Sequence, residues 1–586
     1  MKTKNRFLHI LSYLCLSVGI FFSCQPQKQQ SQFRAPLLDG LDAHALKIST
    51  QSETAQRFFN QGLMLAYGFN HDEAARSFRE AARQDTSCAM CYWGVAYALG
   101  PNINAAMEDA NIDEAYFAAQ KALSLSGNAS DWERAMIEAM ADRYGKEKGV
   151  DRSALDQAFA DGMAKAYEAF PDHADIAAIY AEALMDLHPW DLWNKDGSPN
   201  TWTPKIVEVL EAQLKKWPKH PSANHFYIHA VEASFDPDRA NASADLLMDL
   251  VPGAGHLLHM PSHTFIRSGQ YHKGSIANEN AIKADSMYVA GCHIAGVYPL
   301  TYYPHNYHFL AATATLEGRG EVAIEAGYQV AAHANMELMK EPGWGTLQHF
   351  YTIPYNMLVK FGQWDQILAL PAPSEDLHYP RAIWYYARGM AFTAKGDIDR
   401  AYDEWLLLQE EGRHPGVKEI TVWDINTVSD LVEIATLVLE AEMAVKEGDF
   451  AHAISQFEAA VEKEDQLNYN EPPDWFFSVR HHLGAALIEA ERFAEAEAVY
   501  QKDLEWLPKN GWALKGLQLA LEGQKRIAEA DEIEKQFVEA WQWADIQLES
   551  SRVNDIAVKQ YPYSPQELMA NSRYAVGRTG VISCGK

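Results

Sequence analysis

Apolar positions along most of this chain recur at three- and four-residue intervals, and the two-residue alternation of strands is scarce. FNQGLMLAYGFNHDEAARSFREAARQD, residues 59–85, reads as a first helix holding the small residue Gly62, a turn at Gly68-Phe69-Asn70, and a second helix carrying Ala74, Phe78 and Ala81. The outline returns in HHLGAALIEAERFAEAEAVYQKDLEWLP, residues 481–508. There Gly484 stands for Gly62, Ala496 for Ala74 and Tyr500 for Phe78, with Pro508 closing the unit. Further units lie at 91–99, 382–405, 439–462 and 511–535, while residues 130–300 keep the helical period but depart from this outline. The pattern predicts an all-α chain built by repetition.

The repeated unit resembles the tetratricopeptide repeat. That resemblance covers most of residues 50–540 and implies a right-handed TPR-like α-solenoid of antiparallel helix pairs, each of about 34 residues. It divides the chain into N-terminal repeats (50–220), a divergent histidine-rich block (221–365), C-terminal repeats (366–550) and a tail (551–586). Two stretches break the rhythm. HPWDLWNKDGSPNTWTP, 188–204, sets Trp190, Trp193 and Trp202 among turn formers, and GCHIAGVYPLTYYPHNYH, 291–308, lengthens its repeat. Such aromatic insertions either overhang a binding surface or plug gaps between helices.

The start of the chain differs in kind. A basic head, MKTKNR, precedes the apolar run FLHILSYLCLSVGIFF and then Ser23-Cys24. The run is short for a membrane span and fits an export signal over residues 1–23. Its end resembles the lipobox of bacterial lipoproteins, in which the cysteine, here Cys24, becomes the acylated first residue, although Phe21 stands where that motif usually has Leu. The resemblance implies a lipid anchor at the bacterial outer membrane and a flexible tether over 24–49. The formal charge of −29 makes nucleic acid an improbable partner. Of the cysteines outside this leader, Cys88 and Cys91 form a CxxC followed by Tyr92, not the histidine of a haem attachment site. A local disulfide or two free thiols are the readings left. No nucleotide-binding or hydrolase fingerprint is present.

Candidate chemistry lies in the histidines, 13 of 22 of which fall between 220 and 378. GHLLHMPSH places His256, His259 and His263 on one helix, and HFYIHAVE, 34 residues earlier, repeats the last spacing with His225 and His229. Residues four apart share a helix face, with Cβ atoms about 5–6 Å apart, so each such pair can grip one ion. When AIKAD (281–285) is set on AARQD (81–85), Ser262 falls on Gly62. His256, His259 and His263 then take the second, fifth and ninth places of a first helix, places that in the tetratricopeptide family line the concave groove. His225 and His229 take the fifth and ninth, and Glu232 the twelfth. His305 and His308 take the second and fifth, His349 takes the second, and Pro261 coincides with Pro354.

Neighbouring helix axes stand about 8–10 Å apart. His225, His229, His259 and His263 with Glu232 are therefore the candidate metal set, and His256, His305, His308 and His349 the candidate ligand-binding set. Imidazole suits zinc, copper, iron or nickel, and the carboxylate leans towards zinc or iron. A groove for a protein, small molecule or glycan could use the same histidines without metal. The expectation is a non-enzymatic, membrane-anchored scaffold holding a ligand, a transition metal among the candidates, as an accessory to nutrient or polysaccharide uptake and degradation. The alternative is a metal-dependent hydrolase or oxidoreductase with Glu232 as its base.

Overall fold

The computed structural model describes residues 34–149, 151–291 and 297–552. The export signal, Cys24 and the tail beyond 552 lie outside the described residues. The chain is an all-α, TPR-like solenoid of antiparallel helix pairs, from Glu53–Tyr67 to Ile527–Ala540, with one two-stranded hairpin, Thr421–Val422 and Asn426–Thr427. No described helix is long and apolar enough to cross a membrane.

The small residues of the repeat are needed because an aromatic ring fills the crossing. Phe78 lies between Gly62 and Gly94, and a Cβ there would sit 2.9 and 2.3 Å from its ring. Tyr500 lies likewise between Gly484 and Gly516, at 2.3 and 2.1 Å. The turns between paired helices also share one form. A residue of positive φ follows the helix end, and the next amide donates to the carbonyl five residues back, a Schellman closure. Asn70 bonds Leu65 after Phe69, Gln270 bonds Phe265 after Gly269, and Arg319 bonds Ala314 after Gly318. The turn at 269 thus sits 200 residues after the turn at 69, the offset that placed the histidines.

Two departures shape the site. Residues 34–49, expected as tether, pack on the first repeats: Leu41, Leu46 and Ile48 are buried, and the Leu38 amide donates to Gln61 Oε1 at 2.8 Å. Their apolar side chains repay the ordering of that backbone. The solenoid also curls until distant repeats touch, whereas open arrays contact only neighbours. Tyr271 Oη donates to the Pro508 carbonyl (2.7 Å), Trp512 Nε1 to the Thr315 carbonyl (2.8 Å), and the amide of Gly320 to Asp545 (2.7 Å). Among the described residues the apolar core forms one body from Ala35 to Phe265, a second from Ile266 to Leu548, and a small third of Leu258, Ala281 and Ala284. Cys88 and Cys91 are disulfide-bonded.

Candidate metal centre

Three successive first helices supply the imidazoles. Pro221–Val231 carries His225 and His229. Gly255–His259 and Pro261–Arg267, one helix interrupted at a proline, carry His256, His259 and His263; Tyr302–Leu316 carries His305 and His308. Pro261 removes a main-chain donor, and the kink is settled locally. The His263 amide turns to the Met260 carbonyl, and Ser262 Oγ donates to the His259 carbonyl at 2.7 Å.

The helices bring six rings into two groups. His225, His229 and His256 each offer a ring nitrogen, all within 4.8 Å of one another, and so do His259, His263 and His305. The groups adjoin: ring centres of His229 and His263 are 5.8 Å apart, as are those of His256 and His259. His229 and His263, from neighbouring repeats, therefore lie side by side and both face Glu232. Within the groups, His225 Nε2 lies 3.2 Å from His256 Nε2, and His259 Nε2 lies 3.0 Å from His263 Nε2.

The far ends of three rings are hydrogen-bonded to acceptors, and that of a fourth, His263, lies beside two carboxylates without hydrogen-bond geometry. Nδ1 of His225 donates to the Tyr67 carbonyl (2.7 Å), and Nδ1 of His229 to Glu232 Oε1 (2.9 Å). His259 Nδ1 donates to Asn278 Oδ1 (2.7 Å), whose own amide is oriented by its bond to the Gly274 carbonyl. His263 Nδ1 lies 2.8 Å from Glu232 Oε2 and 2.9 Å from Glu471 Oε2. A proton held on Nδ1 leaves the lone pair of a neutral ring on Nε2, the atom turned inwards. His259 Nε2 and His263 Nε2 meet at 3.0 Å, a contact that a proton on one of them makes a hydrogen bond and that a metal ion could take over. His229 Nε2 has no protein partner.

Electrostatics follow from burial. Loss of solvent drives His225, His256, His259 and His305 well below the usual histidine range, reinforced by neighbouring imidazoles. For His263 burial pulls the same way, but the facing Glu232 and Glu471 carboxylates prevail and raise it. Burial pushes Glu232 upward, yet His263 and His229 hold it below its usual range, while Glu471 is raised, chiefly by burial. One of the touching rings is thus the proton carrier of the metal-free state.

Aromatic walls enclose the rings. Phe69, at the positive-φ position of the first turn, packs on His225, His229 and His256. Phe309 packs on His259, His263 and His305. Both insertions reach the site: Trp190 meets His229 edge-on at 5.5 Å, and Tyr302 meets His256 at 5.1 Å. Trp423, at the hairpin tip, lies 6.0 Å from His305. Trp190 is 37% exposed while His229 beneath it is 3% exposed, so the groove expected open at these histidines is filled. The fill comes from the first repeat and from the loop of Glu471, brought in by the curl of the chain.

The residues singled out from the sequence are distributed as follows. His256 and His305, assigned above to ligand binding, complete the two groups. Glu232 faces the Nδ1 side of His229 and His263, away from the Nε2 atoms, with both carboxylate oxygens engaged. With His263 and Glu471 it forms a further group of possible metal ligands, apart from the two three-histidine groups. His308 and His349 stand apart, 5.7 Å from each other; His349 Nδ1 pairs with Tyr379 Oη at 2.9 Å, and burial lowers His349 to about 4. Spacing gave no sign of Tyr67, Phe69, Asn278 or Glu471, nor of the adjoining cluster in which Asp175 meets His44, His220 and Tyr67.

No protein-family model matches the chain, and no curated protein matches it in sequence. Among solved structures it is similar to a human IFIT1 dimer with m7Gppp-AAAA, at 10% identity over 86% of this chain and 96% of that one, TM-score 0.30. It is also similar to the APC/C hetero-tetramer Cut9-Hcn1, at 12% identity over 85% and 76%, TM-score 0.28. Naa15/Naa10 bound to HypK-THB matches at 12% identity over 83% and 71%, TM-score 0.22. Scores this low bear on nothing at the histidine site.

Proposed function

We propose that this chain is a TPR-like repeat protein that binds a transition metal in its buried histidine centre. The observation that supports this best is the convergence of three histidine nitrogens in each of two adjoining groups, each group within 4.8 Å, with His229 Nε2 buried and without a hydrogen-bond partner. Buried polar atoms left facing one another cost stability unless something joins them, and imidazoles oriented from behind are how proteins prepare a metal site. The leader and Cys24 place the protein, on this reading, as a lipid-anchored component of the bacterial outer membrane. Its helical repeats then offer their outer faces to a protein or glycan partner in nutrient or polysaccharide handling.

The reading as a binding protein is preferred over a hydrolase because Glu232 is committed to His229 and His263 and is not poised beside an ion as a base. The test is metal analysis of the purified chain, with His229→Ala and His263→Ala. Metal near one or more equivalents that falls in both variants supports the proposal. A metal-free protein whose melting is indifferent to chelators and to added zinc, iron or copper removes it.

A further inference from the structure

The two histidine groups are one construction made twice. Each takes an i, i+4 pair from one first helix and a third ring from the next: His225 and His229 with His256, then His259 and His263 with His305. The pairs are 34 residues apart, and the third rings both come from the second place of their helices. Stacking of neighbouring repeats sets the groups side by side, with ring centres 5.8 Å apart at two places along the boundary. A single ion would use one group and leave the nitrogens of the other facing each other.

We propose that the six imidazoles hold two copper ions, one in each three-histidine set, as a single dinuclear centre. This rests on the reading of the cluster as a metal site and goes beyond it in number and element. Three nitrogens per ion leave open positions between the two, where paired ions commonly stand about 3.5–4 Å apart. Element choice follows from charge. Each set offers imidazole nitrogens alone, whereas Glu232 and Glu471 lie on the Nδ1 side of His263, with which they make a separate group of possible ligands. Two divalent ions would bring four positive charges into a site where His225 and His259 are wholly buried, against two carboxylates. Two monovalent ions bring only two into the same buried site. Unbalanced charge in such surroundings is costly. Among first-row metals suited to imidazole, copper is the one with a common monovalent state, and it also stands highest in affinity as a divalent ion. Zinc and iron pairs lack here the bridging carboxylate that would offset their charge.

The test uses the full chain, loaded anaerobically with Cu(I), desalted and analysed for metal. Two copper ions per chain are expected in the wild type. His225→Ala and His305→Ala should each retain one, and the double variant none. X-ray absorption of the wild type, which does not depend on any variant folding, should show a nitrogen shell near 2 Å and a copper neighbour within about 4 Å. One copper per chain, loss of both ions in either single variant, or absence of the copper neighbour overturns the dinuclear centre. One zinc or iron per chain, lost in His229→Ala and His263→Ala, overturns it while leaving the metal site itself standing. A chain that takes up no metal sinks both.

Discussion

Glu232→Gln is the substitution whose effect follows most directly from the hydrogen-bond directions at the centre. The carboxylate presents Oε1 to His229 Nδ1 at 2.9 Å and Oε2 to His263 Nδ1 at 2.8 Å. Glutamine keeps the shape and one acceptor but turns the other oxygen into a donor. Whichever way the amide lies, one imidazole then meets an N–H where it had an oxygen. If that ring is His229, it must shift its proton from Nδ1 to Nε2, which ends its capacity as a ligand, or lose the contact, whereas His263 keeps Glu471 Oε2 at 2.9 Å. Its basicity also falls with the loss of the negative charge. Altering the groups that orient metal-binding histidines costs 10–100-fold in affinity, which is about 1.4–2.7 kcal/mol.

Competition against a chelating indicator, at fixed pH and ionic strength, measures the change. Glu279→Gln serves as control, because Glu279 pairs with Arg319 at the half-open surface and should leave affinity within about twofold. Unchanged affinity in Glu232→Gln would show that the carboxylate does not orient the rings. A loss beyond about 10⁴-fold would show the opposite error, a carboxylate bound directly to the ion, since it exceeds what an orienting group supplies.

Saturating metal should raise the apparent unfolding midpoint, by about 4 kcal/mol of stabilisation at a thousandfold excess over Kd, and a strong chelator should reverse it in a thermal melt. Gly484→Ala puts a methyl 2.3 Å from the buried Tyr500 ring, whose hydroxyl meets Ser551 Oγ at 2.7 Å. Overpacking here should cost roughly 1–3 kcal/mol by urea unfolding, whereas Gly127→Ala, which enters open space, should be near neutral. Acid should weaken the C-terminal repeats through Glu442. Burial pushes its carboxyl up, but Arg552 and His482 hold it down at about 2. A depressed folded value means stability that is fully present above the unfolded pKa near 4.3 and is lost as pH falls towards 2, about 3 kcal/mol in all. Glu442→Gln should flatten the acid limb of midpoint against pH; an unchanged limb would refute this assignment.

The helix pairs were legible because two local signals agree with the fold. The glycines at 62 and 484 mark where Phe78 and Tyr500 cross them, and the turns after 68 and 268 close alike. The i, i+4 histidines were legible for the same reason, since helix periodicity alone puts them on one face. What joins each pair was not. His256 and His305 fall on the second places of their helices, but nothing in the spacing distinguished them as members of the two groups from His308 and His349. The hairpin at 421–427 escaped notice because two residues per strand are too few to show alternation.

The remaining partners lie beyond any spacing argument, and that is where the architecture explains the chemistry. His225 is oriented by the carbonyl of Tyr67, 158 residues away, and His263 by Glu471, more than 200 residues downstream. Helices stacked in an open array would leave these rings in water, where their Nδ1 atoms would bond solvent and either tautomer would serve. Curling brings the first turn and the 471 loop onto the histidines, removes that solvent, and fixes the proton of His225 on its outer nitrogen. Burial also makes an unjoined pair of inward lone pairs expensive, so the contacts that exclude water also raise the demand for a cation between the rings. Each group draws on two neighbouring repeats and is backed by an element from a distant part of the chain. Closing the solenoid and preparing the centre are therefore one event, and the aromatic residues at 69, 190, 302 and 309 serve both.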